Sequence, residues 1–368
     1  MEKVRHVLGI SGGKDSAALA IYLKDHYPTL DIEYYTADTG KELDETYRLI
    51  ENLEIYLGKK IEKLKAFKDS PETPFDHKLK TLGGFLPSQR FRWCTKNLKL
   101  DVFEDFVGTG PVVSYVAIRG DEDREGYISK KNNIQSIFPF RRNIWSEDVI
   151  TKVFANGSSP ALLELSEQLP KTKYSGRIKE ILTKPTSLNF SRDLKIKQLL
   201  DLSVKEFSHL VFAFVKKTNY PLSSESNFPI LDKEELIDRE EVFKILKRSG
   251  VGVPAYYNEI PFEVNGKRST YCRSRSGCFF CFYQQKIEWV WLYEQHPQKF
   301  KEAMEYEKDG YTWNEDESLE RLIQPERIEK IKEEYIARRE RLDQSKKSPY
   351  LVDILEDAEG EGCATCFL

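Results

Sequence analysis

The sequence predicts an α/β protein: a parallel sheet with helices on both faces, a helical insertion and a helical C-terminal region. Three observations carry this reading. An apolar strand passes through a glycine turn into a helix within the first 27 residues, a second strand and helix follow at once, and a β-branched segment at 112–118 runs into a charged loop. Strands that alternate with helices need crossover connections, which place ligands at the carboxyl ends of the strands.

Taken in order, Val-Arg-His-Val-Leu-Gly-Ile at 4–10 reads as a short buried strand. Ser16 to Tyr27 reads as a helix with Ala17, Leu19, Ala20 and Leu23 available to pack inward. Ile32-Glu-Tyr-Tyr-Thr36 is the second strand, followed by a helix from about Leu43 to Leu57 that ends before Gly58, and a third strand at Lys60 to Ala66. Val112 to Ile118 suits a central strand and leads into Arg119-Gly-Asp-Glu-Asp-Arg124. This first unit spans 1–146. From 147 to 248 the pattern turns helical, with Leu162–Leu169, Arg177–Leu182, Leu194–Phe214 and Arg239–Leu246, and reads as an insertion. The third unit, 249–368, holds a cysteine-cluster loop and two long amphipathic helices, Lys286–Lys308 and Ser318–Arg341.

With 368 residues, 40% hydrophobic and 32% charged, the composition is that of a soluble globular chain. No apolar run approaches the roughly 18 residues that would span a bilayer. The amino-terminal stretch runs directly into the glycine loop and lacks the pattern of a secretory signal. The expected location is therefore the cytoplasm, with no membrane partner. A net charge of −3 excludes a protein coated in positive charge but leaves room for a local basic face, for which the candidates are Arg90, Arg92, Lys96 and Lys99, then Arg119, Arg124, Lys130 and Lys131, then Arg141 and Arg142, and then Lys267, Arg268, Arg273 and Arg275, with solvated surface as the plain alternative for each group.

Ser11-Gly12-Gly13-Lys14-Asp15-Ser16 is the most informative stretch. Two glycines let backbone N–H groups face an anion without Cβ interference, and the following helix adds a favourable dipole. Lys14 supplies a point charge, and Ser11 and Ser16 supply hydroxyls for phosphate oxygens. The glycine spacing is not that of a Walker A loop, so a kinase or GTPase of that class is disfavoured. A second candidate is Asp38-Thr39-Gly40 after the second strand. A carboxylate there suits a ribose or Mg²⁺, and the glycine permits close approach of a nucleotide; a helix N-cap at Asp38 or Thr39 is the plainer alternative.

Six cysteines without an export signal point to reduced thiols. Cys272, Cys278 and Cys281 lie on one compact loop, Cys94 stands alone, and Cys363-Ala-Thr-Cys366 lies near the C-terminus. Three thiolates need a fourth ligand to make a four-cysteine site for zinc or a [4Fe–4S] cluster; unmetallated buried thiols are the remaining reading. The Cys363 and Cys366 pair suits sulfur carriage as a persulfide, metal binding between subunits, or no chemistry at all.

Ser-Gly-Gly-Lys-Asp-Ser matches the signature of the PP-loop ATP pyrophosphatases, and with Asp38-Thr-Gly40 and Leu43-Asp-Glu-Thr46 the chain resembles their branch similar to phosphoadenosine phosphosulfate reductases. The resemblance covers roughly 7–145, with a weaker match at 240–285, and implies an adenine nucleotide alpha hydrolase-like fold. It implies nucleotide contacts from Ser11, Gly12, Gly13, Lys14, Asp15, Ser16, Asp38, Thr39, Gly40 and Arg119, with Ser11, Lys14, Asp15 and Ser16 as the catalytic group. It also implies Cys94, from Arg92-Trp-Cys-Thr95, as the fourth ligand beside Cys272, Cys278 and Cys281.

Within that branch the chain is most similar to the sulfur-modification enzymes of Dnd-type and Ssp-type DNA phosphorothioation. That similarity implies hydrolysis of ATP to AMP and pyrophosphate, with Mg²⁺ and a [4Fe–4S] cluster as cofactors and zinc as the alternative metal. It implies a cysteine desulfurase as sulfur donor, with DNA and other phosphorothioation proteins as partners; a homo-oligomer is compatible with it. The competing expectations are a reductase of phosphoadenosine or adenosine phosphosulfate, a tRNA-thiolating enzyme, and a non-catalytic nucleotide-binding scaffold. The long helical insertion departs from the short reductases.

Overall fold

A computed structural model describes residues 2–122, 129 and 131–345, the last four as backbone only; Arg124, Lys130, Cys363 and Cys366 lie outside the described residues. Strand and helix alternate first: β1 Arg5–Gly9, α1 Lys14–His26, β2 Ile32–Ala37, α2 Asp44–Leu57, β3 Ile61–Leu64 and α3 Pro74–Thr81. A helical stretch follows, from α4 Trp93–Thr95 through a π-helical turn at Lys96–Leu100 into α5 Asp101–Val107, and then β4 Val112–Tyr115 and β5 Ile134–Ile137. The five strands form one parallel sheet in the order β3-β2-β1-β4-β5. The α/β class expected from the sequence is the one observed.

Strand alternation explains how both faces are covered. Leu8 of β1 points into a core shared with α1 and α2, whereas Val7 points to the other face, where Phe103 and Val107 of α5 cover it. The chain reverses its direction across the sheet between β1 and β4, so the loops that leave these two strands flank the crevice where this architecture binds ligands. α1 is buried from Lys14 to Leu23 rather than along one stripe, because α11, Arg239–Ser249, packs on its outer side. α2 ends where expected, with Gly58 in the left-handed conformation as its cap.

Region 147–248 is helical, as read: α6 Glu147–Val153, α7 Ser159–Gln168, α8 Ser175–Thr183, α9 Arg192–Leu202, α10 Val204–Val215 and then α11. The expected helix at 194–214 is two helices, because Ser203 takes an extended conformation and its hydroxyl caps α10 at the Glu206 N–H. Leu162 and Phe207 of this region share one core with Leu8 and Ala17. Beyond it lie a hairpin, β6 Ile260–Val264 and β7 Lys267–Tyr271, and four helices: α12 Lys286–Gln295, α13 Pro297–Glu305, α14 Leu319–Leu322 and α15 Pro325–Ser345. Each of the two long helices expected here is divided at a proline, Pro297 and Pro325, which opens the helix that follows. This region has its own core, into which Phe75, Leu79 and Trp93 reach from the first unit. No helix among the described residues is long and apolar enough to cross a membrane.

Candidate functional site

The glycine loop sits at the carboxyl end of β1, where Ile10 extends the pairing with β2 through its N–H to the Tyr35 carbonyl (2.7 Å). Gly12 has φ +72°, and a Cβ there would lie 2.2 Å from Thr46 Cγ2. No other residue fits. Gly13 is the N-cap of α1 and has no side chain with which to cap it. The hydroxyls of Ser11 and Ser16 lie 3.1 Å apart; Ser16 Oγ accepts from the Ser11 N–H (3.2 Å) and Ser11 Oγ from the Gly13 N–H (3.4 Å). The loop is held by hydroxyls chemically similar to the oxygens of a phosphate.

Lys14, Asp15 and Arg119 come together on the buried side of this loop. Lys14 Nζ lies 2.8 Å from Asp15 Oδ2, and Arg119 Nη1 lies 3.0 Å from Asp15 Oδ1. Arg119 also reaches Glu122 (2.8 Å) and Asp121 (2.9 Å). Burial pushes the Asp15 carboxyl up, but Lys14 and Arg119 together outweigh it and hold Asp15 below the usual carboxylate range. Burial lowers Lys14, with Asp15 opposing. Burial would also lower Arg119, but Asp15 and Glu122 keep its guanidinium firmly charged.

The C-terminal region roofs the loop. Tyr256 donates its hydroxyl to the Gly12 carbonyl (2.9 Å), Tyr257 accepts from the Lys14 N–H (3.4 Å), and Lys14 Nζ stands 5.2 Å above the Tyr257 ring.

Asp38 follows β2 and closes a local turn: its Oδ1 accepts from the Gly40 N–H (2.9 Å) and the Tyr47 hydroxyl (3.0 Å). Leu43 is the N-cap of α2, so the capping alternative for Asp38 and Thr39 does not hold. Gly40, with φ +77°, is pressed against Thr73, where a Cβ would lie 2.7 Å away. Thr39 Oγ1 donates to Glu42 Oε1 (2.6 Å) and lies 3.2 Å from Cys278 Sγ. Burial raises the Glu42 carboxyl. Ser11, Asp38, Glu42, Tyr47, Lys99 and Gly277 line one narrow cleft, so the first two sequence motifs and the cysteine loop meet there.

Among the cysteines, Cys278 and Cys281 are electrostatic neighbours. Burial raises both thiols, with Glu42 adding to the rise at Cys278 and Arg275 opposing it at Cys281. Cys278 forms a backbone bridge with Glu42, and the next residue donates its N–H to the Lys41 carbonyl (2.7 Å). Cys272 occupies a different electrostatic setting: burial raises it, with Glu259 and Arg239 as its leading charged neighbours. Cys94, on α4, packs half-buried against the same apolar cluster as Cys278. Among the described residues, no three His, Cys, Asp or Glu side chains converge as a ready metal site. The fit to a four-thiolate group is therefore incomplete as folded.

Sequence reasoning missed Glu42, Tyr47, Tyr256 and Tyr257. Glu42 and Tyr47 sit beside Asp38-Thr-Gly40 at helix-start spacing and were within reach of the motif; the two tyrosines lie more than 240 positions from the loop they cover.

No protein-family model matches the chain. A stretch of 153 residues is 31% identical to an uncharacterized protein of Methanocaldococcus jannaschii, covering 37% of this chain and 30% of that protein. The chain thus spans less than a third of the curated relative it matches, and the likeness brings no chemistry with it.

Proposed function

We propose that the chain is an ATP pyrophosphatase of the PP-loop class, similar to the phosphoadenosine phosphosulfate reductase-like sulfur-modification enzymes, that activates a DNA backbone phosphate for phosphorothioation. The observation that carries the reading is the Ser11–Ser16 turn at the end of β1, flanked across the sheet's reversal point by Arg119 and lined by hydroxyls and backbone N–H groups.

On this reading a phosphate oxygen of the nucleic acid attacks the α-phosphorus of ATP. The bond to the β-phosphate breaks and pyrophosphate leaves. Donors of the glycine turn stabilise the charge that grows on the leaving group, and their fixed placement spares reorganisation as the bond breaks. Lys14 and Arg119, both gathered on Asp15, hold positive charge beside that position. Mg²⁺ bound with the nucleotide would add charge neutralisation, with Asp38 and Glu42 as the carboxylates nearest the cleft. The outer sulfur of a persulfide formed by a cysteine desulfurase then attacks the activated phosphorus and displaces AMP, and a second thiol cleaves the remaining S–S bond, leaving the phosphorothioate and a disulfide. Cys278, which bridges to the cleft-lining Glu42, and its neighbour Cys281 are the thiols we assign to this step; the roles of Cys94, Cys272, Cys363 and Cys366 in holding a cluster or carrying sulfur belong to the same proposal.

The test is sulfur incorporation by the full chain with desulfurase, cysteine and ATP, comparing duplex DNA with tRNA by mass spectrometry of the nucleolytic digest. Phosphorothioate dinucleotides from DNA that vanish in Lys14→Ala support the proposal. Thiolated tRNA bases move the assignment to a tRNA enzyme, and sulfur incorporation undiminished in Lys14→Ala removes the loop from the mechanism.

A further inference from the structure

The loop between β7 and α12 carries Cys272, Cys278 and Cys281, yet the residue at its tip that meets the glycine turn is a serine. A Cβ placed on Gly13 would lie 2.5 Å from Ser276 Oγ and 3.3 Å from Ser11 Oγ. Two hydroxyls far apart in the sequence, Ser11 and Ser276, thus converge on the same side of one glycine, at the N-cap of α1.

The placement of Ser276 is fixed from both sides. Upstream, Arg273 donates its backbone N–H to the Tyr256 carbonyl (2.9 Å), and Ser274 donates through N–H and hydroxyl to the buried Glu288 (2.7 and 2.8 Å). Downstream, Arg273 Nη2 donates to the Cys278 carbonyl (3.1 Å), and Cys278 pairs with Glu42. Between them Gly277 takes φ +121°, which a residue with a side chain rarely adopts. A tip anchored in this way holds its hydroxyl in place before a ligand arrives, which lowers the entropic cost of using it.

We infer that Ser276 is a phosphate ligand of the nucleotide site, contributed by the C-terminal region and acting beside Ser11 over Gly13. The inference rests on the proposed reading of the glycine turn as a pyrophosphate cradle and adds a residue that no motif in that turn contains. It has a second consequence. Cys278 is two positions from Ser276 and its buried thiol lies 3.2 Å from Thr39 Oγ1, so alkylation requires this loop to open, and an anion held by Ser276 makes that opening more costly. Coupling between sites is reciprocal. Pyrophosphate binding should protect Cys278 from alkylation, and alkylation of Cys278 should weaken pyrophosphate binding.

The experiment is titration calorimetry of magnesium pyrophosphate into the full chain and into Ser276→Ala and Ser276→Thr, with ligand-free melting temperatures measured alongside. A hydrogen bond from a hydroxyl to a charged phosphate is worth roughly ten-fold in affinity. The expected result is a roughly ten-fold weaker Kd for Ser276→Ala, a Kd for Ser276→Thr close to wild type, and unchanged ligand-free melting. Equal affinity of wild type and Ser276→Ala overturns the inference while leaving the cradle intact; absence of pyrophosphate binding by wild type overturns the cradle reading with it. If the alanine variant melts early, the decision passes to wild type alone. There, slowed iodoacetamide labelling of Cys278 in saturating pyrophosphate, read by peptide mass spectrometry, upholds the inference, and an unchanged labelling rate rejects it.

Discussion

Arg119 Nη1 lies 3.0 Å from Asp15 Oδ1, so the loop leaving β4 is tied by an ion pair to the first turn of the helix that follows β1. Two loops from neighbouring strands thereby form one wall, and the pair is buried enough that the loss of either partner leaves a charge without its compensation.

Replacing Arg119 tests that wall. Arg119→Ala should lower the rate of pyrophosphate release by roughly 10²-fold, the scale seen when one preorganised donor is removed from a site of developing charge. Arg119→Lys should recover only part of the rate, since an ammonium cannot span Asp15, Asp121 and Glu122 with a planar fork. Equal rates for the lysine variant and wild type would show that charge alone suffices.

Gly12→Ala should unfold the turn rather than tune it. The left-handed φ and the 2.2 Å approach to Thr46 Cγ2 both oppose a side chain, at a joint cost of roughly 2–4 kcal/mol. Adding Thr46→Ser removes the methyl and relieves the clash but not the strained φ, so chemical denaturation of the double variant should recover part of the loss. Full recovery would mean that the backbone conformation costs nothing.

The acid limb of stability should report Glu317. Its carboxylate takes a two-pronged contact from Arg327 (2.8 and 2.7 Å) and a further one from Lys286 (2.6 Å). Hydrogen bonding to Arg327, with Lys286 assisting against the opposing effect of burial, holds its pKa down at about 2, from an ordinary value of 4.5. A depressed folded-state pKa gives stability that is complete above the unfolded value and lost as pH falls through the folded one. Urea denaturation between pH 5 and pH 2 should therefore show wild type losing on the order of 2 kcal/mol that Glu317→Gln does not lose over the same range. Parallel curves for the two proteins would contradict the assignment.

Metal content tests the cysteines. Anaerobic purification followed by iron, sulfide and zinc analysis should find iron and sulfide, and Cys278→Ser and Cys281→Ser should each lose them. Such a result requires Cys272 and Cys94 both to rearrange toward the pair, since no metal-ready group of side chains converges among the described residues. Zinc with no iron would defeat the cluster.

The parts of the fold that were readable from sequence are those set by local chemistry. The helix ending at Leu57 announces itself through Gly58, and the strands at β1, β2 and β4 through runs of apolar residues with clear boundaries. β5 was not read, because Ile-Gln-Ser-Ile is four residues long and owes its burial to β4 and the segment 221–224 rather than to its own pattern. The β6–β7 hairpin was missed although its turn is visible: Asn265 and Gly266 both take positive φ, the conformation that an Asn-Gly pair between strands supplies. The helix breaks at Pro297 and Pro325 are equally visible in the sequence, because a proline has no N–H with which to continue the preceding helix, whereas apolar periodicity runs on across both.

At the site, Ser11 to Ser16, Asp38 to Gly40 and Arg119 are close in space, as their position after three adjacent strands requires. The roof of Tyr256, Tyr257 and Ser276 was not legible, since its contact with the turn depends on how the C-terminal core packs against the sheet.

The most direct test of the central claim is the identity of the products made from ATP. With DNA, magnesium and the sulfur-donating partner present, phosphorus NMR of the wild-type reaction should show AMP and pyrophosphate in equal amounts, and neither in Lys14→Ala. ADP with orthophosphate, or ATP left intact under those conditions, would contradict the account.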